Sequence, residues 1–151
     1  MIAVIQRVQK AEVMISGRTA GRIGTGLCIL LGVAVGDNEK DADFLADKIA
    51  GLRIFADNEE KMNLSLKAIS GSALVVSQFT LCGDWRRGRR PGFAKAAKPP
   101  EAERLYEYFC KCLQQMRIPV ETGDFGAMMQ VSLVNDGPVT FVLDSGKKCV
   151  K

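Results

Sequence analysis

The sequence predicts one mixed α/β domain, with a curved, barrel-like, mostly antiparallel sheet and two main helices packed outside it. Three observations lead to this prediction. The chain has 151 residues, a usual length for one domain. Short alternating or apolar segments typical of strands recur along it, and only two segments have helical periodicity. We find neither an internal repeat nor a linker, so residues 1–151 are assigned to a single domain.

The first half of the chain predicts short strands joined by turns. Each segment alternates in hydropathy or forms a brief apolar run, as strands buried on one or both faces do. These segments are IAVIQRV, AEVMI, TAGRI, LCILLGVAV and LRIF. A hairpin turn is predicted at Ser16-Gly17-Arg18, between the second and third of them.

The second half predicts two further strand pairs. LSLKAI and ALVVSQFTL flank a predicted turn at Ser70-Gly71-Ser72, and residues 131–145 alternate on both sides of Asn135-Asp136-Gly137-Pro138. We interpret residues 131–145 as a hairpin whose tip residues each favour turns. The alternative is that the Gly-Pro step presents bare backbone to a ligand. The local pattern leaves both interpretations open.

Two segments have the 3.6-residue periodicity of amphipathic helices. The first follows Asp37 or Asn38, either of which is a plausible N-cap. The second begins after Pro99-Pro100, and proline suits a first helical turn because its missing N–H would be unpaired there. The predicted buried faces are Ala42, Leu45, Ala46 and Ile49, and Ala102, Leu105, Tyr106, Phe109, Leu113 and Met116.

Composition excludes several kinds of catalysis. The chain has no histidine, which removes Ser-His-Asp and Cys-His mechanisms and histidine metal sites. Its five cysteines are irregularly spaced, so we predict free thiols in a reducing compartment, and neither a metal nor a cofactor. No apolar run approaches the roughly 20 residues that span a bilayer, and the start lacks a signal-peptide pattern. We therefore expect a cytoplasmic protein without a membrane partner.

The positive charge is concentrated in one segment. The formal net charge is +4, yet Asp84 to Lys98 carries six basic side chains and one acidic side chain. Trp85 and Phe93 lie among them, a pattern that a nucleic-acid backbone would bind. A solvated basic loop has the same composition, so this alternative remains open.

Polar side chains in SQFTL are the best candidates for chemistry. Ser77, Gln78 and Thr80 end a strand that is otherwise apolar. They could simply bond to neighbouring strands. An esterase in which Thr80 is the nucleophile would need an activating base, and no obvious one is present. An RNA-binding module without catalysis is the second alternative.

The motifs of this chain resemble those of bacterial D-aminoacyl-tRNA deacylases, in order and spacing, over essentially the whole length. SQFTL and NDGPVT are the most specific of them. The others are AVIQRV, LRIF with KMNLS, GRRPGF, LYEYF and ETGDFGAMM. Three departures lie in loops: Cys82-Gly83-Asp84-Trp85 replaces aromatic-Ala-Asp-Thr, Gly92 stands where serine is common, and the DNEEK loop lacks a glycine.

The resemblance implies an editing hydrolase that cleaves D-aminoacyl-tRNA and spares the L-aminoacyl ester. It implies a homodimer in which a cis Gly137-Pro138 peptide enters the partner subunit's site and leaves no room for an L side chain. Glycine has no side chain to exclude, so glycyl-tRNA(Ala) is also an expected substrate. The tRNA 2′-hydroxyl would assist the reaction, with backbone N–H groups near Phe79 and Thr80 stabilising the oxyanion.

The resemblance also assigns roles to individual residues. The pocket residues are Ser77, Gln78, Phe79 and Thr80. The chiral gate consists of Gly137 and Pro138, held by Arg7. The adenosine-binding wall consists of Thr122, Gly123, Phe125 and Met129. The expected tRNA phosphate contacts are Arg86, Arg87, Arg89, Arg90, Lys95 and Lys98.

Overall fold

A curved six-stranded sheet forms the centre of the computed structural model, which describes residues 1–86 and 88–147. The elements in chain order are β1 (Ile2–Ile15), β2 (Arg18–Ile23), β3 (Gly26–Gly32), α1 (Glu39–Gly51), β4 (Phe55–Ala56), β5 (Met62–Leu64), β6 (Ser72–Ser77), α2 (Pro99–Gln115), β7 (Val120–Thr122) and β8 (Gln130–Asp144). One-turn 3₁₀ helices occupy Phe79–Cys82 and Ser145–Lys147.

The long strand β1 organises the sheet. The hydrogen-bonded order is β2-β1-β3-β6-β7. β3 and β2 pair with the first and second halves of β1 along one edge, and β8 pairs with both halves along the other edge. β1 is antiparallel to β2, β3 and β8, whereas β3-β6 and β6-β7 are parallel. A Cβ on Gly21 of β2 would lie 2.5 Å from the carbonyl oxygen of Thr122 on β7. The two ends of the sheet therefore almost meet, which confirms the predicted barrel-like fold.

Both predicted helices are present and pack together against the sheet. Asn38 caps α1: its Oδ1 accepts from the Lys40 N–H at 3.0 Å, while Asp41 Oδ2 accepts from the Asn38 N–H at 3.1 Å. Pro99 and Pro100 lie in the first turn of α2. The predicted apolar faces are buried, except that Met116 is half-buried at the end of α2. No helix in the described part of the chain is long and apolar enough to cross a membrane.

The predicted hairpin at residues 131–145 is wrong. Residues 130–144 form one strand, β8, whose two halves both pair with β1. Asn135 pairs with Val8 and Thr140 pairs with Gln6, so residues 136–139 bulge out opposite the single residue Arg7. Asn135 to Pro138 were predicted to form a turn, but they make a bulge because the chain continues in the same direction after them.

Other strand predictions also need correction, since local pattern does not identify a strand's partner. IAVIQRV and AEVMI are halves of the single strand β1. LSLKAI is not a strand: only its first residue belongs to β5, and β6 pairs in parallel with β3 and β7. Of LRIF, only Phe55 lies in the two-residue β4. Thr80 belongs to a 3₁₀ helix and not to a strand.

The four described cysteines are free and buried; they are Cys28, Cys82, Cys110 and Cys112. Burial raises the pKa of the Cys28 thiol to about 11, so it is protonated near neutrality. Within residues 1–86 and 88–147, no group of three or more His, Cys, Asp or Glu side chains could hold a metal ion. Cys149 and Arg87 lie outside the described residues.

Candidate active site

The SQFTL segment begins at the end of β6 and turns into a 3₁₀ helix. The Gln78 N–H donates to the Leu31 carbonyl at 2.8 Å, which ties the turn to β3. A Cβ on Gly32 would lie 2.9 Å from the Gln78 carbonyl, so this close approach requires glycine. Phe79 and Thr80 open the 3₁₀ helix, and the first N–H groups of a helix have no partner inside it. Two backbone donors are thus available beside the end of β6.

The side chains of this segment do not form a conventional nucleophilic site. Gln78 Nε2 donates to the Thr80 hydroxyl oxygen, and an amide cannot act as a base for that hydroxyl. Cys82 follows closely, but burial raises the pKa of its thiol. The Phe79 ring is 56% exposed and packs edge-on against Phe93, with ring centroids 5.0 Å apart. The pocket therefore offers shape and backbone donors without an activated nucleophile.

The residues assigned to the adenosine-binding wall lie together next to β6. Thr122 pairs with Val75, which lies two residues before the end of β6. Met129 packs so closely over Gly123 that a side chain at that position would collide with its sulfur. The Phe125 ring lies 5.9 Å from Tyr106. The structure thus brings the predicted wall next to the predicted pocket.

Tyr106 supports this wall, and the sequence did not indicate that role. It was assigned only to the apolar face of α2, but its hydroxyl donates to the Val75 carbonyl at 2.8 Å. Burial raises the pKa of this phenol, so the hydroxyl stays protonated and can keep donating. A tyrosine on an otherwise apolar helix face was the available signal, because a buried hydroxyl needs a partner.

The β8 bulge, residues 136–139, is held by side chains on both sides. Its Gly137-Pro138 peptide is cis, and both residues are exposed. Arg7 donates through Nε to the Asp136 carbonyl at 3.1 Å and through Nη1 to the Ile54 carbonyl at 2.6 Å. On the other side, the Val139 N–H donates to Asn135 Oδ1 at 3.1 Å. Side-chain hydrogen bonds therefore hold the bulge in place. The Ile54 carbonyl helps to fix Arg7, and no sequence signal reveals this contact.

The bulge and the SQFTL pocket are far apart within one subunit. β8 and β6 are separated in the sheet by β1 and β3. Leu31 of β3 pairs with both Ala3 and Ser77, so Arg7 lies four residues along β1 from the pocket end. At about 3.3 Å per residue and about 4.8 Å per strand, this separation is on the order of 15–20 Å. One subunit does not bring these two predicted parts of the site together.

The outer edge of β8 is open and apolar. Within the described residues β8 pairs only with β1, which leaves a 15-residue edge strand. Its exposed apolar side chains are Val131, Val134, Phe141 and Val142. Long edges of this kind are usually covered or blunted because they pair readily with other chains. The surface that contains the bulge is therefore suited to contact with another chain.

The basic segment forms a closed loop whose cations differ in availability. Backbone hydrogen bonds of 2.8 and 2.9 Å join Asp84 and Gly92 at its base. Arg86 binds Asp84 in a bidentate manner, and this contact holds the pKa of the Asp84 carboxyl well below its usual range. The other described cations of the segment are exposed and form no ion pair with a described residue. They are Arg89, Arg90, Lys95 and Lys98.

Comparisons with known proteins point to one family. The family model for D-Tyr-tRNA(Tyr) deacylase matches residues 4–144. A D-aminoacyl-tRNA deacylase of Thermosipho africanus is 56% identical over 147 residues, which is 97% of this chain and 99% of that protein. One of Roseiflexus castenholzii is 61% identical over 145 residues, covering 96% and 92% of the two chains.

Two solved structures are also similar. One, titled c-Myc DNA Unwinding Element Binding Protein, has a TM-score of 0.91 at 39% identity and covers 95% of this chain and 98% of its own. A probable eukaryotic D-amino acid tRNA deacylase has a TM-score of 0.80, covering 94% of this chain and 97% of its own. At 17% identity, the second likeness shows the fold alone.

Proposed function

Since the chain belongs to the D-Tyr-tRNA(Tyr) deacylase family, we propose that it removes D-amino acids from tRNA at a site completed by a second copy of itself. It is a D-aminoacyl-tRNA deacylase, a hydrolase that cleaves the ester between an amino acid and tRNA. We place this editing in the cytoplasm, where charged tRNA is used. The finer parts of the proposal concern the dimer, the chiral selection and the reactive groups.

The first part of the proposal is that the protein is a homodimer. The main support is the distance between the bulge and the pocket of one subunit. The β8 bulge is exposed, braced by Arg7, and on the order of 15–20 Å from the SQFTL segment of its own subunit. The apolar edge of β8 beside it favours contact with a second copy. A two-fold axis would make both contacts reciprocal, so each bulge would enter the partner's pocket.

Chiral selection is the second part. Gly137 and Pro138 present main-chain atoms, and the Arg7 hydrogen bond limits their movement. Against the substrate α-carbon, such a rigid surface excludes a side chain in the L position and leaves the D side chain directed outwards. Glycine lacks the excluded group, so we propose glycyl-tRNA(Ala) as a second substrate.

The reaction is the third part. Water attacks the ester carbonyl carbon, the bond to the ribose 3′ oxygen breaks, and that oxygen takes up a proton as the amino acid leaves. We assign the assisting group to the neighbouring 2′-hydroxyl of the tRNA, because Thr80 contacts an amide and no base. The N–H groups of Phe79 and Thr80 would stabilise the oxyanion, as two preorganised donors do.

Substrate binding is divided between the wall and the basic loop. The terminal adenosine would lie against Thr122, Gly123, Phe125 and Met129, which adjoin the pocket through β6. The basic segment, Asp84 to Lys98, would contact the phosphates of the acceptor stem. Arg87 belongs to this proposed set by sequence, although it lies outside the described residues.

The Arg86–Asp84 ion pair gives a prediction about salt dependence. Arg89→Ala is expected to make the slope of log affinity against log salt shallower by about 0.7–0.9, because one phosphate contact is lost. Arg86→Ala should change the slope less, since Asp84 already offsets its charge. Binding of uncharged tRNA at several KCl concentrations measures both slopes. Equal changes in the two variants would contradict this account of the loop.

The deacylase assignment is tested by comparing D-tyrosyl-tRNA with L-tyrosyl-tRNA. The protein should hydrolyse the D ester far faster than buffer alone, while the L ester decays at the buffer rate. This comparison also tests the second alternative, a dimeric RNA-binding module without catalysis. This alternative draws support from the basic loop and from the similar structure whose title names DNA binding. If neither ester reacts faster than in buffer, only the binding role remains.

A further inference from the structure

Trp85 is the most exposed aromatic side chain in the described part of the molecule. It is 78% exposed and is the only tryptophan of the chain. A single exposed apolar residue needs no explanation by itself, so its surroundings decide whether it has a role. Those surroundings combine a cavity, a packed link to the pocket and several positive charges.

A cavity beside Trp85 is lined in part by the 3₁₀ helix that begins at the SQFTL pocket. It has a volume of ≈ 240 Å³. Leu81 and Cys82 form one side of it, and both belong to the 3₁₀ helix that begins with Phe79. Arg86 and Lys95 border it together with Trp85. Asp84 also lines the cavity and pairs with Arg86, which leaves Lys95 as the lining cation that has no ion pair among the described residues.

Backbone hydrogen bonds and aromatic packing tie the loop that carries Trp85 to the pocket. The hydrogen bonds between Asp84 and Gly92 close the base of this loop. Phe93 packs on Phe79 and against Gly83, where an added Cβ would lie 3.1 Å from the Phe93 ring. Trp85 follows Gly83 by two residues, which is roughly 7 Å of extended chain. The tryptophan is thus positioned close to the packed aromatic pair at the pocket.

We propose that Trp85 is a stacking platform for an unpaired base of the tRNA 3′ end, next to the terminal adenosine. This inference rests on the proposed function, because it requires a tRNA end in the SQFTL pocket. Every base offers a π-face to an aromatic ring, and nearby cations attract the linking phosphates. Lys95, Arg89 and Arg90 supply that charge, whereas Asp84 offsets the charge of Arg86. An apolar protein partner would not be favoured by such a cationic border.

The fluorescence of this single tryptophan provides the test. The probes are two uncharged RNA hairpins with the same stem, one with a single-stranded 3′ CCA end and one blunt. The CCA hairpin is expected to quench Trp85 fluorescence, whereas the blunt hairpin leaves it nearly unchanged. Trp85→Ala should weaken binding of the CCA hairpin roughly tenfold and leave the blunt hairpin's affinity unaltered. Trp85→Phe, which keeps a ring, should retain most of the affinity.

Two controls separate stacking from charge and from general loop changes. Lys98→Ala should weaken both hairpins alike, because it removes a charge and no ring. Gly92→Ala lies in the same loop, where an added Cβ meets nothing within 4 Å, and should change neither affinity. Equal quenching by both hairpins, or equal weakening of both by Trp85→Ala, would overturn the stacking role.

The failure of this inference can be told from the failure of the proposed function. If the CCA hairpin alone quenches Trp85 but D-tyrosyl-tRNA is not hydrolysed, stacking holds and the deacylase proposal is wrong. If D-tyrosyl-tRNA is hydrolysed and Trp85→Ala leaves both affinities unchanged, the stacking role is wrong and the deacylase proposal holds.

Discussion

A D-aminoacyl-tRNA that ends in 2′-deoxyadenosine is expected to be hydrolysed at least about 100-fold more slowly than the natural substrate. A positioned proton-transfer group contributes about 10²–10⁴-fold to a rate, and the described SQFTL segment offers no such group. The Thr80 hydroxyl accepts from the Gln78 amide, and the nearby Cys82 thiol is kept protonated by burial. The substrate must then supply this group itself. Single-turnover rates of the two esters, each corrected for buffer hydrolysis, measure the difference.

Thr80→Ala is the control for the 2′-deoxy substrate, because it removes the protein's own hydroxyl in place of the hydroxyl of the tRNA. It removes one neutral hydrogen bond, which is worth about 1 kcal/mol, so a loss of only about fivefold is expected. Thr80 is exposed, so the fold should be unaffected. The opposite pattern would favour an esterase with a Thr80 nucleophile: no activity in Thr80→Ala, and undiminished hydrolysis of the 2′-deoxy ester.

Gly137→Ala is expected to lower the discrimination between D- and L-tyrosyl-tRNA by a factor on the order of 10–100. Gly137 has a φ of +119°, and a Cβ there would lie 2.7 Å from Arg7 Nη2 and 2.9 Å from Val139 Cγ2. Crowding of this kind costs about 1–3 kcal/mol unless the backbone moves. Displacing the bulge from Arg7 would open space for an L side chain. Hydrolysis rates of both enantiomers measure the effect.

The control for Gly137→Ala is Gly17→Ala. Gly17 also has a positive φ, +79°, but an added Cβ there meets nothing within 4 Å. Both variants therefore carry backbone strain, and only one disturbs the contact between the bulge and Arg7. Unchanged rejection of L-tyrosyl-tRNA by Gly137→Ala would show that the bulge is not the gate.

The helices were predictable from sequence because their signals are local. Asn38 and the two prolines mark the helix starts, and the periodic faces of α1 and α2 became buried. Strand partners are not local. Asn135 to Pro138 have the residues of a turn, but β1 continues past them and pairs with both sides. Nothing in residues 131–145 alone distinguishes this bulge from a hairpin.

Sequence reasoning could name the parts of the candidate site but not their arrangement. SQFTL and the wall meet because β6 pairs with β7, a parallel contact between distant segments. Arg7 was assigned to the gate by resemblance, and it does bond to the Asp136 carbonyl. Its second acceptor, the carbonyl of Ile54, is a backbone atom that no side-chain pattern reveals. The distance between the bulge and the pocket also could not be known before the order of strands in the sheet.

A purified mixed dimer tests most directly whether one subunit gates the other. One protomer carries Gly137→Ala, and the other carries Thr80→Tyr, which should block its own pocket. If each bulge serves the partner's pocket, the open pocket faces an intact bulge. We then expect D-tyrosyl-tRNA to be cleaved at about half the wild-type rate, as one of the two sites remains, and L-tyrosyl-tRNA to be spared. Cleavage of L-tyrosyl-tRNA at half the rate of the Gly137→Ala homodimer would contradict the account.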